Sequence, residues 1–153
     1  MPKRMNEKTL AVLEKLIAVC KDGEEGFQLA ADEVKSSVLQ SLFLGYSLQR
    51  SRLSRDLDEA ASALGRSAAA AEGSISRAWM APLDADAARD EQAVLSECER
   101  GEDAAVAAYT LALEEGELPP AVRTLIAAQA IEVKNAHDEV RSRRTRFAPE
   151  EKK

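Results

Sequence analysis

The amino-acid sequence predicts an all-α domain, a four-helix bundle with a long crossover between its second and third helices. Three observations carry that expectation. Alanine, Leu, Glu, Arg and Ser dominate the composition while aromatics make up only 4%, a balance that favours helix over sheet. Apolar residues recur at three- and four-residue spacing through four long stretches, the signature of helices with one buried face. The stretches form two pairs separated by residues 66–89, a connection too long for a hairpin loop and long enough to return along a helix. At 153 residues the chain can bury a real core, and 1–153 reads as one domain.

The first helix is expected over about 7–35, after a basic leader, Met1 to Asn6, that should fray. Its stripe is Leu10, Leu13, Leu16, Ile17, Cys20, Phe27, Ala31, Val34 and Val38, with Glu24 near the centre. Gly23 and Gly26 interrupt the pattern. A glycine inside a helix costs up to ~1 kcal/mol, so a close backbone approach or a bulge is expected there rather than a break. Ser36-Ser37 make a turn, and the second helix follows over about 38–64 with Leu39, Leu42, Phe43, Tyr46, Leu53, Leu57, Ala60, Ala61 and Leu64 on one face. Arg50 falls inside that stripe, and Gly65 suits a helix stop.

The crossover 66–89 holds Gly73, Pro82 and an alanine run, and Ser74 to Met80 could form a short helix presenting Ile75, Trp79 and Met80. The third helix, about 90–115, carries Val94, Leu95, Cys98, Ala105, Tyr109, Ala112 and Leu113, with Glu102 amid them. Proline after Gly116-Glu-Leu suits the first turn of a fourth helix, about 120–146, whose stripe is Val122, Leu125, Ile126, Gln129, Val133, Ala136 and Val140. Arginines at 141, 143, 144 and 146 suit its C-terminus and read as solvated surface. The closing Pro-Glu-Glu-Lys-Lys reads as a loose tail.

The two halves echo each other. At an offset of 78 residues Cys20, Gly23 and Glu24 match Cys98, Gly101 and Glu102; at an offset of 83, Tyr46, Arg50 and Leu53 match Gln129, Val133 and Ala136. Two similar hairpins joined by a crossover make the bundle ferritin-like, with helices two and three parallel. An acid aimed at a core must be paired, protonated or metal-bound, so Glu24 and Glu102 are the first candidates for a functional centre.

Di-iron and di-manganese bundles need one Glu from each of two helices and a Glu-x-x-His pair from each of the others. Glu24 and Glu102 meet the first condition, but Asn135 follows Glu132 and Arg52 follows Gln49 at that spacing. His137, the only histidine, stands five residues beyond Glu132. Arg50, level with Glu24 in an antiparallel pair, could neutralise both glutamates through bidentate hydrogen bonds and would repel a divalent cation. The preferred reading is therefore a buried polar cluster of Glu24, Arg50, Glu102, Tyr46, Tyr109 and Gln129, with no cofactor. The alternative is an iron or manganese site built from Glu24, Glu102, Glu132 and His137. Cys20 and Cys98 read as reduced, buried thiols, a redox or thiolate-ligand role requiring that they face each other.

A net charge of −6 argues against a nucleic-acid binder. No apolar run approaches the ~18 residues a membrane helix needs, and no signal peptide is evident, so cytoplasm is the expected compartment. Phosphate loops, nucleophile elbows and metalloprotease motifs are missing.

The chain resembles the bacterial ferritin-like four-helix-bundle family known as domain of unknown function 2383, over roughly Asn6 to Arg144. The resemblance rests on Leu16-Ile-Ala-Val-Cys-Lys-Asp-Gly-Glu-Glu-Gly-Phe27, Arg77-Ala-Trp-Met80, Glu97-Cys-Glu-Arg-Gly-Glu-Asp103 with Tyr109, and Val133-Lys-Asn-Ala-His-Asp138. It implies a ferritin-like bundle and no defined activity, substrate or cofactor. The expectation is thus a non-enzymatic bundle acting through its surface or as a homo-oligomer, with a divergent metal-carboxylate oxidase or peroxidase as the alternative.

Overall fold

Four helices form among the described residues, 3–65 and 90–146 of a computed structural model, and no strand. They are α1 (Lys3–Glu33), α2 (Ser37–Ala63), α3 (Glu91–Leu113) and α4 (Pro120–Arg146). The residues 66–89, including the short helix expected at Ser74 to Met80, and the tail beyond 146 lie outside the described residues. α1 starts at Lys3, earlier than the basic leader suggested, and runs unbroken through Gly23 and Gly26 to Glu33.

Local chemistry sets the ends. Ser36 caps α2, its hydroxyl accepting from the Leu39 N–H at 3.1 Å, which satisfies one of the orphan donors of the first turn. Gly65 adopts φ +96° just past the end of α2, where its N–H donates to the Ser62 carbonyl at 2.9 Å. Asp90 caps α3 through the Ala93 N–H. Arg123 of α4 reaches back to donate to the Leu113 and Glu115 carbonyls, satisfying the exposed end of α3 and holding the 114–119 turn closed.

Two contacts at opposite ends of the molecule define the topology. Glu91, at the start of α3, accepts from the backbone N–H groups of Lys35 and Ser36 at 3.0 and 2.9 Å, beside the α1–α2 turn. Lys8, near the start of α1, lies 3.5 Å from Glu117 just beyond α3. α1 is therefore antiparallel to α3 as well as to α2, and α2 runs parallel to α3. α1 packs on α2 and α3; α4 packs on α3 and closes more loosely on α2. α2 and α3 thus face each other diagonally across the core.

That core is two apolar blocks. One holds Leu13, Leu16, Ile17, Leu53, Leu57 and Ile126 with their neighbours. The other holds Phe27, Val34, Leu39, Phe43, Val94, Leu95 and Val140. Between them, at the level of Gly23, Arg50 and Glu102, lies a polar layer. Val38, expected in the first helix's buried stripe, is 56% exposed: the chain turns at 34–36 and restarts the helical phase, so the period of α1 no longer governs it.

The Ser36 cap gives a direct check. Ser36→Ala should lower the unfolding free energy by about 1 kcal/mol, measured by urea titration; a loss near zero would mean the hydroxyl contributes nothing to the start of α2.

Candidate functional site

The polar layer is built around one ion pair. Arg50 of α2 and Glu102 of α3 are both 0% exposed. Nη1 donates to Glu102 Oε1 at 2.7 Å and Nη2 to Oε2 at 2.6 Å, the fork-to-fork geometry that makes Arg–carboxylate pairs strong. Nε donates to Gln49 Oε1 at 3.1 Å, and the guanidinium carbon sits 5.5 Å from the Phe27 ring centroid, within cation–π range. Burial lowers the Arg50 pKa, and the adjacent Glu102 carboxylate more than reverses this, so the guanidinium is held charged above its ordinary value.

Gly23 makes room for that side chain. A Cβ there would come within 2.9 Å of Arg50 Nη1 and 3.2 Å of its Cγ. The glycine inside the α1 pattern therefore serves a close approach, the arginine stem crossing α1 where any side chain would block it. One turn earlier on α2, the Ser47 hydroxyl donates to the Glu24 carbonyl oxygen at 2.9 Å.

A second chain of hydrogen bonds runs below the pair. Tyr109 donates its hydroxyl proton to Gln129 Oε1 at 2.7 Å. That hydrogen is then spent, so at the 3.2 Å contact with Cys20 the thiol is the donor. Gln129 Nε2 donates to the Leu53 carbonyl at 3.2 Å. Cys20, Tyr109, Gln129 and Leu53 come from α1, α3, α4 and α2 in turn, so one relay ties all four helices. Burial pushes the Cys20 thiol up to about 11. Burial, with Cys20 next in importance, also raises Tyr109, and it raises Cys98 well above an ordinary thiol. All three are neutral at physiological pH. A thiol or phenol held protonated is a poor nucleophile, since nucleophilicity requires the deprotonated form.

The expected cluster is corrected at several positions. The Glu24 side chain is only half-buried and lies on the outer surface of α1 with Lys21, Glu25 and Gln28, away from the guanidinium. The repeat explains why. Arg50 reaches Glu102 across the α2–α3 diagonal, and the matching partner for Glu24 across the α1–α4 diagonal would stand at 133, where the chain has apolar Val133. Without a cation opposite, a buried Glu24 carboxylate would be unpaired. Tyr46 does not join the pair either: its half-buried ring packs 5.3 Å from Phe27. Burial and then Glu139 raise its pKa.

The alternative metal set is dispersed. Glu102 is held by Arg50, Glu132 pairs with Arg52 on the surface at 2.6 Å, and Glu24 stays on α1. His137 Nε2 lies 2.6 Å from Asp103 Oδ1, and Nδ1 lies 3.1 Å from Asp138 Oδ1. Burial lowers the His137 pKa, but hydrogen bonds accepted by the Asp138 and Asp103 carboxylates leave it raised overall. Cys20 and Cys98 are both free and belong to opposite apolar blocks. The terminal arginines are not all solvated surface: Arg143 pairs with Glu139 at 2.6 Å, and Arg144 pairs with Glu99 of α3. Sequence reasoning missed Glu99, Asp103 and Glu91 as contact residues; the Glu99-x-x-x-Asp103 spacing, which puts two acids on one helical face, was the available signal.

Comparison with known families matches residues 8–115 to the domain of unknown function DUF2383. The chain belongs to the DUF2383 family. Among solved structures, a Dps1 mutant from Mycobacterium smegmatis superposes with a TM-score of 0.75 at 12% identity, covering 94% of this chain and 99% of that one. That likeness establishes a ferritin-like four-helix bundle. No curated protein matches the sequence, and among the described residues no helix is long and apolar enough to cross a membrane.

The central residues of this DUF2383 chain do not fit the di-metal centre of ferritin-like bundles. Such a centre needs four helices to aim carboxylates and imidazoles at one point. Here the Glu102 carboxylate at that level has both oxygens engaged by the Arg50 guanidinium.

Breaking the pair should be costly and removing it whole should not. Arg50→Leu alone should cost roughly 3–5 kcal/mol by stranding Glu102, whereas Arg50→Leu with Glu102→Leu should recover most of it. Denaturant titration of the two variants decides; equal losses would mean the cost lies in packing and not in unpaired charge. Gly23→Ala should destabilise by about 1–3 kcal/mol through overpacking against Arg50, reversing the ~1 kcal/mol that alanine normally gains in a helix. A stabilised Gly23→Ala protein would show that the arginine stem moves aside freely.

Proposed function

We propose that this DUF2383 protein is a non-catalytic ferritin-like bundle of the bacterial cytoplasm that works through its surface, by self-association, and not as a metal oxidase. The observation that carries this reading is the Arg50 guanidinium seated bidentately on Glu102. A fixed positive charge occupies the level at which ferritin-like metalloproteins gather carboxylates around cations. It opposes any divalent ion there, and it engages both Glu102 oxygens.

Self-association is supported by the first half of α2. From Ser36 to Gln49 no residue is charged, and within that run Val38, Leu44 and Leu48 are 56%, 48% and 73% exposed. Leu44 and Leu48 lie one turn apart on the outer face, and grouped apolar exposure of this kind marks interaction surfaces. A second copy of the chain, offering the same uncharged face, suits it by the self-complementarity of two-fold dimers. A cytoplasmic setting agrees with two free, buried thiols, and the net charge of −6 disfavours a nucleic-acid partner.

Two measurements test the proposal together. Ferrous iron added to the protein in air should be oxidised no faster than in buffer; acceleration abolished by Glu102→Gln would reject the non-oxidase reading. In sedimentation velocity the wild-type chain should associate, and Leu44→Glu with Leu48→Glu should shift it to monomer. A wild-type monomer at all concentrations would remove self-association.

A further inference from the structure

On the outer seam between α3 and α4 the geometry points to a divalent transition-metal site that is separate from the buried pair, formed by Glu99, Asp103 and His137. One ligand atom from each, a carboxylate oxygen of Glu99, a carboxylate oxygen of Asp103 and a ring nitrogen of His137, lie within 4.8 Å of one another. Two acids four residues apart share one face of α3, and α4 brings the only histidine against them. One imidazole nitrogen and two carboxylate oxygens form a mixed nitrogen–oxygen set suited to zinc, with manganese or ferrous iron as weaker fits. Three protein ligands also leave a fourth tetrahedral position open to water.

Two further features concern the outer shell. The other ring nitrogen, Nδ1, is 3.1 Å from the Asp138 carboxylate, a residue outside the three-ligand set. A carboxylate on the remote nitrogen is the usual support of a metal-bound imidazole, fixing its tautomer and orientation. The site is also recessed without being sealed: the His137 and Glu99 side chains are 13% and 15% exposed, while Asp103, at 63%, leaves an entry side. His137 Nε2 and Asp103 Oδ1, 2.6 Å apart, need to separate only slightly to straddle an ion at ~2.0–2.2 Å from each. The ion takes the place of the proton shared between them, since the ligands bind deprotonated.

A built-in competitor makes the assignment unusually testable. Glu99 pairs with Arg144, and Arg141 lies 3.8 Å from its other oxygen. An incoming cation must displace Arg144, so the arginine holds the carboxylate in the absence of metal and weakens metal binding. Removing it should tighten the site, the opposite of what a merely structural salt bridge would do to a ligand.

Isothermal titration of the chelator-stripped full chain with zinc chloride, repeated with manganese chloride, decides the matter. Wild type should bind one zinc per chain, more tightly than manganese. His137→Ala and Asp103→Asn should lose that binding, with folding of each verified by far-UV circular dichroism. Asp138→Asn should weaken it by roughly 10–100-fold, and Arg144→Ala should strengthen it. Wild-type protein that takes up no zinc saturably, or binding that persists undiminished in both His137→Ala and Asp103→Asn, would overturn the assignment.

Discussion

The Arg50–Glu102 pair is the constraint around which the bundle is arranged. Withdrawing two charges from water carries a penalty of several kcal/mol per ion, and only close geometry with further hydrogen bonds offsets it. The bundle meets that condition: both carboxylate oxygens are engaged, three of the five guanidinium N–H groups have acceptors, and Phe27 covers the cation face. The pair joins helices that are parallel and diagonal, which have little backbone contact of their own. A slip of either helix by one turn would separate the charges inside the core, so register along the axis is set here and the apolar blocks above and below follow it.

Around that layer the sequence adapts in ways that make sense only together. Gly23 is small because the arginine stem crosses α1. Val133 is apolar where the repeat would place a second arginine, and Glu24 accordingly stays at the surface. Among the described residues the two similar hairpins therefore share one fully buried salt bridge, Arg50–Glu102. Below it the Cys20–Tyr109–Gln129–Leu53 relay links the four helices through neutral groups. Burial raises the thiol and phenol pKa values and so keeps these groups protonated.

Groups able to exchange ligands with solvent lie elsewhere. The α3–α4 seam gathers Glu99, Asp103, His137, Asp138, Arg141 and Arg144 at partial exposure, and the uncharged first half of α2 leaves Val38, Leu44 and Leu48 exposed. A closed centre and an accessible periphery are compatible in one four-helix bundle, because its packing tolerates any inward group that is fully satisfied.

Much of this was legible in the residues. The four helices, their antiparallel pairing within each hairpin and the α2–α3 parallel relation follow from apolar periodicity and from one connection too long for a hairpin. Arg50 and Glu102 stood out because charges inside an apolar stripe must find each other. Periodicity resolves direction only to within a residue or so, however, and at 100° per residue that error decided Glu24: the stripe centres on Cys20, Gly23 and Phe27, and the next position turns away. The sequence by itself determined the helices, their order and the need for a buried counter-charge, because those depend on local propensity and on pattern along one chain. Which glutamate answered Arg50, and that His137 would meet Asp103 and Glu99, was decided by tertiary structure alone, since both depend on the rotation and height of one helix against another.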